Sequence, residues 1–132
     1  MKNITENFDT WPEAVKSDLE KNEFNPNVGS DLVSETDRVR VWHLVLNPGE
    51  RTPFHRHVLN YFWTCHTEGH ARSYFEDGRV AEMRYAPGDT KHMDYAEGEY
   101  LLHCLENIGT TPLTFTTVEF KDSPNAALPL QD

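Results

Sequence analysis

Gly49-Glu50-Arg51-Thr52-Pro53-Phe54-His55-Arg56-His57 is the stretch on which the reading turns, together with His103-Cys104-Leu105-Glu106-Asn107 further along. On an extended strand, residues two apart face the same side, so His55 and His57 present two imidazoles at a separation that one metal ion can bridge. A third His from elsewhere in the chain could complete a facial site. On its own, His-Arg-His reads equally well as a solvated loop edge, so its meaning depends on what surrounds it.

What surrounds it has a period of two. Val39, Val41, His43 and Val45 alternate with Arg40, Trp42, Leu44 and Leu46 until Asn47-Pro48-Gly49-Glu50 breaks the run. His43 shares the parity of the valines, which predicts a buried, hydrogen-bonded core His. Further strands are predicted at about 53–58, 60–67, 70–76, 79–85, 89–95, 100–106 and 112–120. Between them lie Glu68-Gly69, Asp77-Gly78, Pro87-Gly88, Glu97-Gly98 and Gly109-Thr110-Thr111-Pro112, all built from turn residues. Short strands at regular spacing predict an all-β sandwich or barrel, of which the jelly roll is the compact version.

The first 30 residues follow a different pattern. Thr10-Trp11-Pro12-Glu13 has the form of a capping box with Pro in the first turn, and Trp11, Ala14, Val15 and Leu19 follow at helical spacing. A short amphipathic helix over about 11–21 is predicted, packed on the barrel wall or on a partner subunit, with a linker over 25–31. The 132 residues make one domain: helix and linker over 1–30, barrel over about 38–120, and a tail or subunit-crossing arm over 121–132.

With 22 acidic against 12 basic residues and a formal charge of −10, phosphate backbones and anionic membrane surfaces are poor partners. No apolar run reaches the length of a membrane span, and Met1-Lys2-Asn3-Ile4-Thr5 lacks the hydrophobic segment of a signal peptide. A cytoplasmic protein is expected, binding neither nucleic acid nor membrane. Cys65 and Cys104 have no C-x-x-C spacing and form no disulfide framework, so free thiols are expected.

Gly49-x5-His55-x-His57 resembles the first half of the first cupin motif, and Gly98 to His103 to Asn107 resembles the end of the second. Pro87-Gly88-Asp89 resembles the turn that opens the strand before that second motif. The resemblance spans roughly residues 38–120. It implies a cupin-type double-stranded β-helix, a jelly-roll barrel whose mouth holds a divalent metal. Two departures stand out. Cupins usually place a Glu three or four residues after the second His, and here those positions are Tyr61 and Phe62. Gly98 is also followed by four residues before His103, where the family usually has two.

The reading is therefore an all-β homodimer of single-domain jelly rolls, each with a short N-terminal helix, binding one divalent ion through His55, His57 and His103. Three neutral imidazoles bind such an ion at about 2.0–2.2 Å and leave its charge uncompensated, with positions open to an anionic or chelating ligand. The ion could be Fe, Zn, Ni, Mn or Cu. Among cupins, those with this ligand set include enzymes that oxidise thiols and cleave diketones with ferrous iron. A metal-dependent dioxygenase acting on a small organic acid or diketone is the first expectation. An isomerase or lyase, and a non-catalytic small-molecule-binding cupin, are the alternatives.

Tyr61 and His92 are the candidates for proton transfer. If strand parity continues past His57, Tyr61, Trp63 and Cys65 face the histidines, whereas a bulge at Val58-Leu59-Asn60 would reverse this. Tyr61 reads equally as an aromatic filling the barrel mouth, and His92 equally as an outer-face residue. Arg72 could anchor a substrate carboxylate or be an exposed strand Arg. His66 and His70 are read as surface residues beside a turn, and Asn107 as part of the turn with Ile108-Gly109.

Overall fold

The computed structural model describes residues 2–5, of which only the backbone is considered, and residues 8–130. Residues 131–132, the end of the expected tail, lie outside the described residues, as do 1, 6 and 7. The strands are β1 (Lys2–Thr5), β2 (Asp31–Glu35), β3 (Val39–Leu46), β4 (His55–His57), β5 (Asn60–Cys65), β6 (Gly69–Phe75), β7 (Val80–Tyr85), β8 (Thr90–Met93), β9 (Leu101–Asn107) and β10 (Leu113–Phe120). One α-helix, α1 (Glu13–Lys21), follows a short 3-10 turn, Phe8–Thr10. The strands form two five-stranded antiparallel sheets, ordered β1-β7-β6-β9-β4 and β2-β3-β10-β5-β8. No helix among the described residues is long and apolar enough to cross a membrane.

The seven strands predicted after residue 50 all form, within about two residues of their expected ends. β1 and β2 were not anticipated. Both are short edge strands, and their sequences lack the strict alternation that marks β3.

Three of the turns use one device. In Asn47-Pro48-Gly49-Glu50, Ala86-Pro87-Gly88-Asp89 and Ala96-Glu97-Gly98-Glu99, the fourth residue's N–H donates to the first residue's C=O at 2.9, 3.1 and 3.0 Å. The same fourth residue's carboxylate accepts from the first residue's N–H at 2.6, 2.8 and 2.6 Å. The third residue has φ between 84° and 92°, which glycine reaches without the Cβ penalty of other residues. The Pro-Gly-acid sequences therefore end their strands by local chemistry, whatever packs around them.

The parity of β3 is the reverse of what was expected of His43. Arg40, Trp42, Leu44 and Leu46 are buried, whereas His43 and Val45 are exposed. Both parities of this strand are apolar enough to line a core, and the bulkier Trp-Leu-Leu set is the one enclosed between the sheets. The buried Arg40 is accommodated because its Nε donates to Glu35 at 3.0 Å and its guanidinium to the Leu128 carbonyl at 3.0 Å.

α1 lies on the outer face of the β4-containing sheet and so packs on the barrel wall. Trp11 and Val15 pack with Phe54, Tyr74, Val80, Leu102 and Cys104, with Leu19 at the margin. The expected capping box is not formed: Pro12 is the N-cap with no side-chain bond, and its carbonyl accepts from Val15 and Lys16 at 3.0 and 3.2 Å. Thr10 is instead taken up by the preceding 3-10 turn. The helix is tied to the segment before His55 by Asp18, which accepts from the Arg51 guanidinium and from the Phe54 N–H, both at 2.8 Å. Thus the element that covers the outside of the sheet also sets where the histidine-bearing strand begins.

Candidate metal centre

β4 is three residues long, with His55 and His57 buried and Arg56 pointing outward. Pairing of β4 with β9 sets His55 directly opposite His103. The three imidazoles converge: their rings lie 4.8–5.1 Å apart, and each offers a nitrogen such that all three lie within 4.8 Å of one another. His55 Nδ1 sits 2.9 Å from the Pro53 carbonyl, which makes it the protonated nitrogen and leaves the lone pair on Nε2. His57 Nε2 and His103 Nε2 face each other at 3.2 Å. An ion about 2.1 Å from two imidazole nitrogens spaced this way would see them at about 100°.

Protonation favours the same use. Burial pushes His55 down to about 4, with its bond to Pro53 and the charge of Asp18 opposing. Burial also holds His57 and His103 well below the ordinary imidazole value, and the neighbouring histidines push them the same way. All three are therefore neutral near pH 7, the form that ligates metal. His57 Nδ1 is buried without a partner, so this ring is held by packing and by its Nε2 contact with His103. Its face stacks on the Tyr61 ring at 4.2 Å and 13°. The group fits a divalent ion, and among the described residues no carboxylate joins it.

The histidines open on a cavity of about 570 Å³ inside the barrel, lined by both sheets. Tyr61 and Trp63 line it and Cys65 is in the adjoining core, so parity continues through residues 58–60. Cys65 and Cys104 are free and buried. His92 is not brought to this group: it is exposed on β8, its ring 5.4 Å from that of Phe62. Arg72 faces away from the cavity and pairs with Glu82 at 2.8 Å. His66 is an exposed partner of Thr116, and His70 is part-buried beside Glu82 at 3.6 Å.

No protein-family model and no curated protein matches the sequence. Among solved structures, a cupin domain from Bordetella pertussis Tohama I is 23% identical with a TM-score of 0.60, over 69% of this chain and 90% of that one. An RmlC-like cupin family protein with a double-stranded β-helix fold from Methanocaldococcus jannaschii is 22% identical with a TM-score of 0.52, over 66% and 73% respectively. The chain has the cupin fold.

In this cupin fold, both sequence departures have a structural counterpart. Where a carboxylate would follow the His pair, the Tyr61 ring covers His57. The longer segment before His103 is taken up by the Ala96–Glu99 turn and Tyr100, and β9 still delivers His103 opposite His55. Asn107, fully buried, donates to the carbonyls of Leu46 and Thr111 at 2.9 Å each and accepts from the Gly109 N–H. It locks the end of β9, a wider role than the local turn expected of it.

Sequence reasoning missed Glu119. It is 3% exposed, accepts from Trp42 Nε1 at 2.7 Å, and lies across the sheet from Arg40 and Tyr61. Its alternation with Phe115 and Thr117 was the available signal. Burial raises its carboxyl from 4.5 to about 7, with the Trp42 bond and Arg40 opposing. The folded chain keeps this proton where the unfolded chain has released it. The resulting stability is fully present below about pH 4.5 and is lost as pH rises through about 7, about 3 kcal/mol in all. Denaturant midpoints measured across this window should fall with pH, and Glu119→Gln should flatten that fall. Identical slopes in the two proteins would assign the effect to other groups.

Proposed function

We propose that this cupin is a small metal-dependent enzyme in which His55, His57 and His103 hold one divalent ion and the barrel cavity takes a small chelating organic anion. The observation that carries the reading is the convergence of three neutral imidazoles, two buried and one half-buried, on one cavity with no carboxylate beside them among the described residues. A neutral ligand set leaves the ion's positive charge to be balanced by the ligand. Held there, a divalent ion supplies Lewis-acid chemistry and, when redox-active, electron transfer. Oxidative cleavage of a small organic acid or diketone is the favoured reaction class.

The chain's own residues have distinct parts. The Pro53 carbonyl fixes the tautomer of His55, and the β4–β9 pairing fixes His55 against His103. Tyr61 holds its phenol proton, since burial and the adjoining Tyr95 raise it well above the ordinary value. It walls the site and can donate a hydrogen bond, but keeps its proton and is not a base. Trp63 and Phe75 restrict water at the cavity wall.

The test is elemental analysis of protein purified without added metal, combined with oxygen uptake across small acids, thiols and diketones. Stoichiometric iron with uptake is the expected result. Zinc or nickel without uptake would point to isomerase, lyase or binding functions. Absence of any metal, with none taken up on titration, would overturn the three-His site.

A further inference from the structure

Besides His57 Nδ1, the buried polar atoms on the cavity wall without a hydrogen-bond partner among the described residues are Ser73 Oγ and Arg79 Nε. Ser73 is 1% exposed. It lies on β6 with the inward parity of Ala71 and Phe75, next to Leu105 on β9. Phe75 is opposite His103 on one side, and on the other its N–H donates to the Arg79 carbonyl at 2.9 Å. The side chains keep this order. The Phe75 and His103 rings are 5.8 Å apart, and the Arg79 guanidinium carbon sits 4.0 Å over the Phe75 ring. One aromatic ring therefore separates a guanidinium from the imidazole cluster.

Among the described residues, Arg79 forms an ion pair with one acidic residue. Asp77 approaches its Nε at 3.8 Å, beyond hydrogen-bond reach, and accepts from its backbone N–H at 3.0 Å. The Asp77 side chain is 64% exposed, so water screens most of its charge. A guanidinium has donors and no acceptor, and a serine hydroxyl can donate. The Arg79 side chain is 31% exposed, but its Nε is buried; buried donors without acceptors are costly, and an oxyanion lying in the cavity would satisfy both Nε and the Ser73 hydroxyl. Arg84 and Lys91 also reach the cavity, but both are exposed and neither shares the His103–Phe75 row.

Building on the three-His reading, we propose that Arg79 and Ser73 form a second anchoring point, which holds the far carboxylate of a short organic dianion. The near end of that ligand carries chelating oxygens toward the histidines, and its stem crosses Phe75. The site thereby selects diacids over monoacids with the same chelating end.

Calorimetry on the whole chain, loaded with nickel, can compare 2-oxoglutarate with 2-oxopentanoate, which keeps the keto-acid end and lacks the far carboxylate. The expected result is a preference of about tenfold or more for the diacid. Arg79→Met should abolish the preference by weakening the diacid alone, and Ser73→Ala should reduce it. Arg79→Lys, which keeps the charge and loses the fork, should leave part of it. Equal affinities in the unmodified protein, no binding of either acid, or an Arg79→Met loss shared by both acids would overturn the anchoring point. Nickel titration without any acid reads the three-His centre separately: failure there sinks that reading, whereas nickel binding with equal acid affinities sinks only the Arg79–Ser73 assignment.

Discussion

Replacing His55 or His103 with alanine is expected to empty the metal centre while leaving the protein folded. Loss of a mere supporting partner of a ligand costs roughly 10–100-fold in metal affinity. Loss of one of three ligands should cost roughly 100-fold or more, enough to strip the ion during purification. The fold should survive because both rings face the cavity, whereas the apolar clusters around Leu113 and Phe54 include neither of them. Metal content per chain by elemental analysis, read beside the unfolding midpoint, checks both halves. Unchanged metal content in both variants would mean that the ion binds elsewhere. His92→Ala is the matched control: an exposed residue on β8 should leave metal content as it was.

Phe54→Ala should have the opposite signature, a large loss of stability. Phe54 is 0% exposed and stacks on Trp11 at 5.8 Å and 23°. Its N–H is held by Asp18 and its carbonyl accepts from Asn25 at 3.0 Å. Truncating a buried Phe costs about 3–5 kcal/mol through lost transfer energy and the cavity left behind. That is a large share of the roughly 5–15 kcal/mol that holds a domain together. Denaturant unfolding would measure it, and a loss under about 1 kcal/mol would show that the Trp11–Phe54 stack does not fasten the helix to the sheet. Because Phe54 immediately precedes His55, the residual folded protein should also bind metal less tightly. The same contact thus supports the fold and positions the first ligand.

The features legible in the sequence were those fixed over a few residues. Alternation in β3 marked a strand because successive side chains on an extended backbone must point to opposite faces, and the later strands were marked by the turn residues between them. Asn47-Pro48-Gly49-Glu50 and Ala86-Pro87-Gly88-Asp89 marked turns because Pro, a left-handed Gly and a back-bonding acid act within four residues. His55 and His57 could be paired for the same reason, two apart on one strand. The resemblance to cupins then supplied His103, which no local rule could have joined to them.

Only the tertiary structure decided which face of each strand is inside. β3 carries apolar residues at both parities, so packing between the sheets chose Trp42, Leu44 and Leu46 and left His43 in solvent. β9 is buried on both faces because α1 covers Leu102 and Cys104 while His103 and Leu105 face the cavity. Arg79 and Ser73 were invisible as a pair, one beside a turn and the other within a strand, until β6 and β7 were paired. Sequence by itself determined strands β3 to β10, the turns between them and two of the three imidazoles, since backbone geometry carries that information locally. The meeting of those imidazoles with His103, Tyr61, Phe75 and Arg79 was decided by long-range strand pairing, which sets who faces whom across distances that no local pattern encodes.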